Sequence, residues 1–436
     1  MIIIDKKIFY LALYIVIGLL LTACSKSAFI PIEQTPLANY KEKTENNTVE
    51  ISEKKVLKVW THDDILQGSL TAFSEKFPNV EVEIKEMGKS TLVSQYRSSL
   101  VMNKSPDIFV IPDEFLGSFS SINGFENLLD EYYDDPTYLD NRPEGLMKPY
   151  IDSQSQEMNI VPLLYFPYVM YYRVDILEEL GYPSDPQDLA VYLNNTYNWL
   201  TMARDLKEKG YYITDTEVTF LDTLFRANYF MDEQNEYIGS SNEWLDIHKT
   251  AITIYDEQLD FGKTIWEQET QQALRDDELI MFIGASYMDH HLKGWAPEQE
   301  GKWAITTLPF ELTAIDQYNS MSMAISSQSE DKMLAWEFVK HMTNDMLNIY
   351  TGIKQDPYFQ NQNLQPVYWE SLDSNMPGKP HVFDDDIKMI WDVTLKNLNW
   401  GEPFTMENVH RFHDDVKSRI KYEQQLLQEF DKAERE

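Results

Sequence analysis

Apolar and polar positions alternate from the start of the body of the chain. Val56-Leu57-Lys58-Val59-Trp60 predicts a strand, and Leu66, Leu70, Phe73 and Phe77 then recur at helical spacing until Pro78 stops the helix. A second alternation in Val80, Val82 and Ile84, a helical stretch near Leu92 to Met102 and the apolar run Ile108-Phe109-Val110-Ile111, ended by Pro112, complete the order strand, helix, strand, helix, strand. That order predicts an α/β fold with a mostly parallel sheet, right-handed crossovers and helices on both faces. Ligands of such sheets sit beyond the carboxyl ends of the strands. Here those ends carry Thr61-His62-Asp63-Asp64 and Asp113-Glu114-Phe115. Asp also caps helices well, so each acid is open to either reading.

Residues 159–172 are dense in aromatics and Pro and read as two strand pieces joined by a bend. Helical segments dominate to about residue 275, one signalled by Asn198 and stopped at Gly210, and this stretch reads as a second lobe. Strand character returns at Leu279 to Ile283, Trp303 to Pro309 and Met321 to Ile325. Gly284-Ala285-Ser286 turns into a helix whose free N–H groups can donate to a ligand oxygen. Ser327 and Glu330 form a capping box ahead of Leu334, Ala335, Phe338, Val339 and Met342.

The first residues differ in kind. Lys6 and Lys7 precede an apolar run from Ile8 to Leu21, shorter than the roughly 20 residues a spanning helix needs, so residues 1–23 read as an export signal. Leu21-Thr22-Ala23-Cys24 resembles the bacterial lipobox, which makes Cys24 the acylated new N-terminus. Cys24 is the sole cysteine, so no internal disulfide can form. The polar stretch 24–54 lacks periodicity and reads as a flexible tether. The expected location is extracytoplasmic, anchored by that lipid to the outer face of the cytoplasmic membrane.

Composition narrows the function. At 436 residues, with 43% hydrophobic and 13% aromatic side chains, the body is globular and has room for more than one core. A formal charge of −35 repels nucleic acid and anionic headgroups. Met87-Gly88-Lys89-Ser90 ends like a phosphate-binding loop, but Glu83 stands where the first glycine is required, so any ATPase is another chain. No Gly-x-Ser-x-Gly elbow or His-Glu-x-x-His pair occurs. His290 with His291, and His410 with His413, lack a third ligand, and the acidic clusters at Asp130 to Asp135 and Asp384 to Asp386 lack calcium-loop spacing. The expectation is therefore no cofactor, no metal and no catalysis.

Several pieces together resemble the family 1 extracellular solute-binding proteins, mostly carbohydrate receptors of bacterial ABC importers. They are Leu57 to Trp60 with Phe77-Pro78-Asn79-Val80, Ser105-Pro106-Asp107-Ile108, Val161-Pro162, Tyr171 to Asp175, Leu180-Gly181-Tyr182-Pro183, Met281 to Gly284, Thr307-Leu308-Pro309 and Met323 to Ser326 with Ala335 to Val339. The resemblance implies two α/β lobes of the periplasmic-binding-protein type around a cleft, with three hinge crossings, near Leu164 to Tyr168, Tyr318 to Met323 and Trp369 to Phe383. The N-terminal lobe is then 55–166 with 320–370, and the C-terminal lobe 167–319 with 371–436. Where relatives often carry a glycine pair before the late strand, this chain has Asn319-Ser320-Met321-Ser322.

On that basis the expected protein is a monomer that captures a carbohydrate, an oligosaccharide above all, and passes it to permease subunits. Hydroxyls are expected on His62, Asp63, Asp64, Asp113, Glu114, Asn319 and the Ser286 turn, and sugar faces on Trp60, Tyr165, Phe166, Tyr168, Tyr287, Trp369 and Trp400. Two alternatives stand beside it. One is an extracellular glycoside hydrolase that pairs Asp63 or Asp64 with Asp113 or Glu114; the other is a receptor for a non-sugar solute on the same fold.

Overall fold

The computed structural model describes residues 54–436 except 121, 134, 136, 154, 217–220, 222–224, 226, 375, 377, 400–403 and 436, without side chains at 398–399 and 426–435. The export signal, Cys24, the tether up to residue 53 and Trp400 lie outside the described residues.

Strand β1 (Lys55–Thr61) turns Leu57, Val59 and Thr61 inward and pairs in parallel with β2 (Val80–Glu86) and β3 (Ile108–Pro112). Every residue of β3 is buried, as its unbroken apolar run requires of a strand covered on both faces. The helix Gln67–Lys76 closes one face through Phe73, which lies edge-on to Phe338 at 4.9 Å. Further on, β4 (Val161–Leu164), β5 (Tyr168–Arg173), β6 (Met281–Ala285), β7 (Trp303–Thr306) and β8 (Met321–Ile325) follow. Two sheets result, one ordered β2-β1-β3-β8-β4 and one ordered β6-β5-β7.

The expectation of mostly parallel sheets needs correction for the second one. In the first sheet only β8 runs against its neighbours; in the second, β5 pairs antiparallel with both β6 and β7. The cause is the crossings. After β4 the chain leaves the first sheet at its carboxyl end and enters the second as β5. It returns as β8 from the same side, so each entering strand must run opposite to the strands that end there.

Two crossings lie side by side. Asp316 N–H donates to the Phe166 carbonyl at 2.9 Å, and Pro167 bridges Ile315. The third differs from the expected Trp369 to Phe383. After the helix Lys332–Leu347 the chain passes through Asn348–Tyr350 to the short strands Gln355–Asp356 and Gln362–Asn363. Gln362 there bonds both the N–H (2.9 Å) and the carbonyl (2.8 Å) of Ile305, covering the open edge of β7. Residues from Gln355 thus pack on the second sheet, earlier than the boundary at 370.

The helices Asn242–Glu257, Asp384–Asn399 and Met406–Arg435 enclose an aromatic core in which Trp391 stacks on Phe225 at 4.6 Å. Among the described residues, no helix is long and apolar enough to cross a membrane.

Candidate functional site

At the end of β1 the Thr61 hydroxyl donates to the Asp63 carbonyl (3.0 Å) and accepts from the Asp63 N–H (3.2 Å), fixing a tight turn that presents His62 and Asp63 half-buried and Asp64 exposed. Burial, reinforced by the charge of Lys89, pushes His62 down to about 4, so its ring is neutral at physiological pH. Lys89 opens the helix Lys89–Val101, pairs with Glu114, and lies 4.1 Å over the Tyr318 ring. The rejected nucleotide motif thus supplies the cation that joins the ends of β2 and β3 to the second crossing.

The crossing itself is organised by Asp316, which is 5% exposed. Its carboxylate accepts from the Tyr287 hydroxyl (2.8 Å), the Asn319 amide (2.7 Å) and the Tyr318 N–H (2.9 Å). Tyr287 precedes the helix Met288–Trp295 at the end of β6, and its ring meets Phe166 edge-on at 5.1 Å. Groups from both sheets and from the crossing therefore share one network, with Tyr318 (62% exposed) and Asn319 facing solvent.

Beneath it lies Asp113, 4% exposed. Its carboxylate accepts from the Ser322 hydroxyl at 2.7 Å and the Tyr150 hydroxyl at 3.2 Å. Burial pushes it up to about 7 against those bonds and the nearby Lys388 ammonium. A cavity of about 10 Å³, one water's worth of room, is bounded by Asp113, Tyr150, Tyr229, Gln317 and Met376. Lys388, from the Asp384–Asn399 helix, bonds the Gln317 side-chain oxygen at 2.9 Å and reaches the Glu114 carbonyl at 3.4 Å. Asp384 opens that helix, equally buried and likewise raised by burial to about 7.

Among the expected site residues, His62, Glu114, Phe166, Tyr287 and Asn319 gather around this crossing, whereas the bonds of Asp63 stay within its own turn, to Thr61 and Asp64. Others are placed differently. In this conformation Asp113 is an enclosed junction group with both oxygens engaged. Ser286 spends its N–H on the Pro167 carbonyl (2.9 Å), so the expected free donor is occupied. Tyr165 is 3% exposed and stacks on Tyr350 at 5.2 Å. Trp60 has Lys85 4.3 Å over its ring and Tyr96 and Phe109 against it. Tyr168 and Trp369 are half-buried against apolar clusters. Lys89, Asp316, Gln317, Tyr318 and Lys388 were missed. Asp316-Gln317-Tyr318-Asn319, an Asx turn just before a strand, was the available signal. Among the described residues, no group of three or more His, Cys, Asp or Glu is set to hold a metal ion.

A family model described as bacterial extracellular solute-binding protein matches residues 69–359. Solved structures agree in fold. The sugar-binding protein MalE from the phytopathogen Xanthomonas citri is 12% identical over 86% of this chain and 99% of its own, with a TM-score of 0.68. The galacto-N-biose/lacto-N-biose I-binding protein of the Bifidobacterium longum ABC transporter, in complex with lacto-N-biose, is 12% identical over 85% and 96%, with a TM-score of 0.63. The ABC-transporter-associated binding protein from B. animalis subsp. lactis, in complex with β-1,6-galactobiose, is 16% identical over 85% and 98%, with a TM-score of 0.58. At such identities the likeness is one of fold, the two-lobed periplasmic-binding architecture, while the family match covers most of the chain. This chain belongs to the bacterial extracellular solute-binding proteins.

Proposed function

We propose that the protein captures a carbohydrate between its lobes and delivers it to the permease of an ABC importer, held at the outer face of the membrane by a lipid on Cys24. The observation that carries this reading is the shared network at the crossing. His62, Lys89 and Glu114 come from the side of the first sheet, Tyr287 from the second, and Asp316 to Asn319 from the strap between them. A polyol bound there touches both lobes only when they approach, so it favours the closed form by its differential contacts. Polar hydroxyl partners beside the aromatic faces of Tyr287 and Tyr318 suit a pyranose, which has apolar C–H faces and a polar rim.

Several solved proteins of the same fold hold disaccharides, which supports the class of ligand without fixing its identity. Calorimetric titration with mono- and oligosaccharides, followed by chromatography of the recovered sugar, tests the reading. The expected outcome is saturable binding with the saccharide returned intact. Shortened products, or no binding to any saccharide, would overturn it.

A further inference from the structure

Tyr229 stands between Ala227 and Phe230, which belong to the aromatic core of the second lobe, yet its own ring is buried in the first lobe's cluster of Phe109, Ile111, Leu116 and Phe119. It is a peg from one lobe set into the other. The residue is 4% exposed, its hydroxyl bonds no described residue, and it lines the cavity of about 10 Å³ that Asp113 and Gln317 also line.

Gln317 is a second open group. It is 3% exposed, and its side-chain oxygen is the atom that meets Lys388, at 2.9 Å, because an ammonium can only donate. That orientation leaves both N–H groups of Nε2 at the other end of the amide, buried and without a partner among the described residues. Asp113, the third polar wall, accepts one bond at each carboxylate oxygen, from Ser322 and Tyr150, and so keeps a spare lone pair on each. Leu146, Pro149, Ile315 and Met376 close the space with apolar side chains. A buried amide with unused donors has lost the hydrogen bonds it made to water in the unfolded chain, and only an acceptor small enough for this cavity restores them. Room for one water beside three polar partners meets the requirement for an internal water. A cation fits poorly, since the Nε2 donors and the Lys388 ammonium on the same amide both repel it.

We propose that this cavity binds one internal water, which accepts from Gln317 Nε2, donates to Asp113 and bonds the Tyr229 hydroxyl. Asp113 comes from the first sheet, Gln317 from the strap and Tyr229 from the second lobe, so the water is a joint that ties the three together. The site is independent of which solute fills the cleft.

Ambient-temperature crystallography of the wild type, Gln317→Met and Tyr229→Phe tests the proposal, with water-to-amide cross-relaxation at the Gln317 side chain as the readout in solution. The wild type should show one density peak within hydrogen-bond reach of Gln317 Nε2, Asp113 and Tyr229, together with a cross-peak of the sign that long-lived water gives. Gln317→Met, similar in volume but without donors, should lose the peak. Tyr229→Phe should keep the ring in place and weaken the cross-peak, because the water is held by one bond fewer. A dry cavity closed by a direct bond from Gln317 to Asp113 would overturn the proposal. So would a peak that strengthens when rubidium replaces sodium, since the occupant is then a cation, or a peak in the crystal with no cross-peak in solution. A peak that survives Gln317→Met denies the amide's part, and an unchanged cross-peak in Tyr229→Phe denies the bond to the second lobe and with it the joint. If Gln317→Met fails to fold, the wild type and Tyr229→Phe still decide.

Discussion

Replacing Asp113 with Asn probes the junction beneath the site. Burial raises this carboxyl from about 3.8 to about 7, which means the folded protein binds its proton more tightly than the unfolded chain does. The stabilisation is complete below about pH 4 and is lost as pH rises through about 7. At about 1.4 kcal/mol per pH unit, ionisation in the folded site costs up to about 4 kcal/mol in alkaline solution. Asn has nearly the same shape and no ionisation. Its oxygen can still accept from Ser322, and the Tyr150 hydroxyl can turn to accept from its amide. At pH 5, already above the unfolded value, about 1.6 kcal/mol of that stabilisation is lost, so the variant should lead wild type by about 1–2 kcal/mol, less the net worth of any hydrogen bond it forfeits. At pH 8.5 its lead should be about 3 kcal/mol larger. Urea midpoints at the two pH values, read as the difference between variant and wild type, cancel the titration of other groups. A variant that keeps the wild-type slope, or falls equally at both pH values, would refute the reasoning. Asp384→Asn should remove a second contribution of the same sign, since it too is raised to about 7 by burial.

Two further outcomes follow from other parts of the junction and core. A Cβ at Gly117 would overlap the His381 carbonyl oxygen and come within 2.7 Å of the Asp384 carboxylate, so Gly117→Ala should cost about 1–3 kcal/mol by urea titration; an unchanged midpoint would deny the close approach. His413 is buried beside His248, and burial, then His248 and nearby cations, push it down to about 3. The unfolded chain takes up that proton below about 6.5 and the folded one does not, so stability falls as pH drops from about 6.5 toward 3. His413→Gln should lessen the loss between pH 6.5 and 4.5 by about 2–3 kcal/mol, and an unaltered acid slope would contradict this.

The strands were the most legible part of the chain, because alternation and short apolar runs follow directly from which face is buried. Ile108 to Ile111 with Pro112 as stop, and Met321 to Ile325, lie where the pattern put them. Strand direction was not legible, since periodicity is blind to whether β5 or β8 enters from the near or far side of its sheet. Caps were misplaced by local competition. Asn195, not Asn198, accepts from the first N–H groups of the Thr196–Lys207 helix. Asp331, not Ser327, caps Lys332–Leu347, and Ser327 instead donates its N–H to the Gly124 carbonyl at 2.9 Å. The candidate cluster was legible only in part. His62, Asp63 and Glu114 stand at strand ends, where the α/β rule looks for them. Asp316 joins Phe166 and Tyr287, 150 and 29 positions away, and no local pattern encodes such a meeting. Asp113 shows the converse: an acid at a strand end that tertiary packing encloses.

Small-angle scattering during titration with the tightest-binding saccharide tests the central claim most directly, because capture by closure must change shape as well as occupancy. The radius of gyration should fall along the same isotherm as calorimetric binding and recover on dialysis. A radius that stays constant through saturation would contradict a receptor that signals its load by shutting.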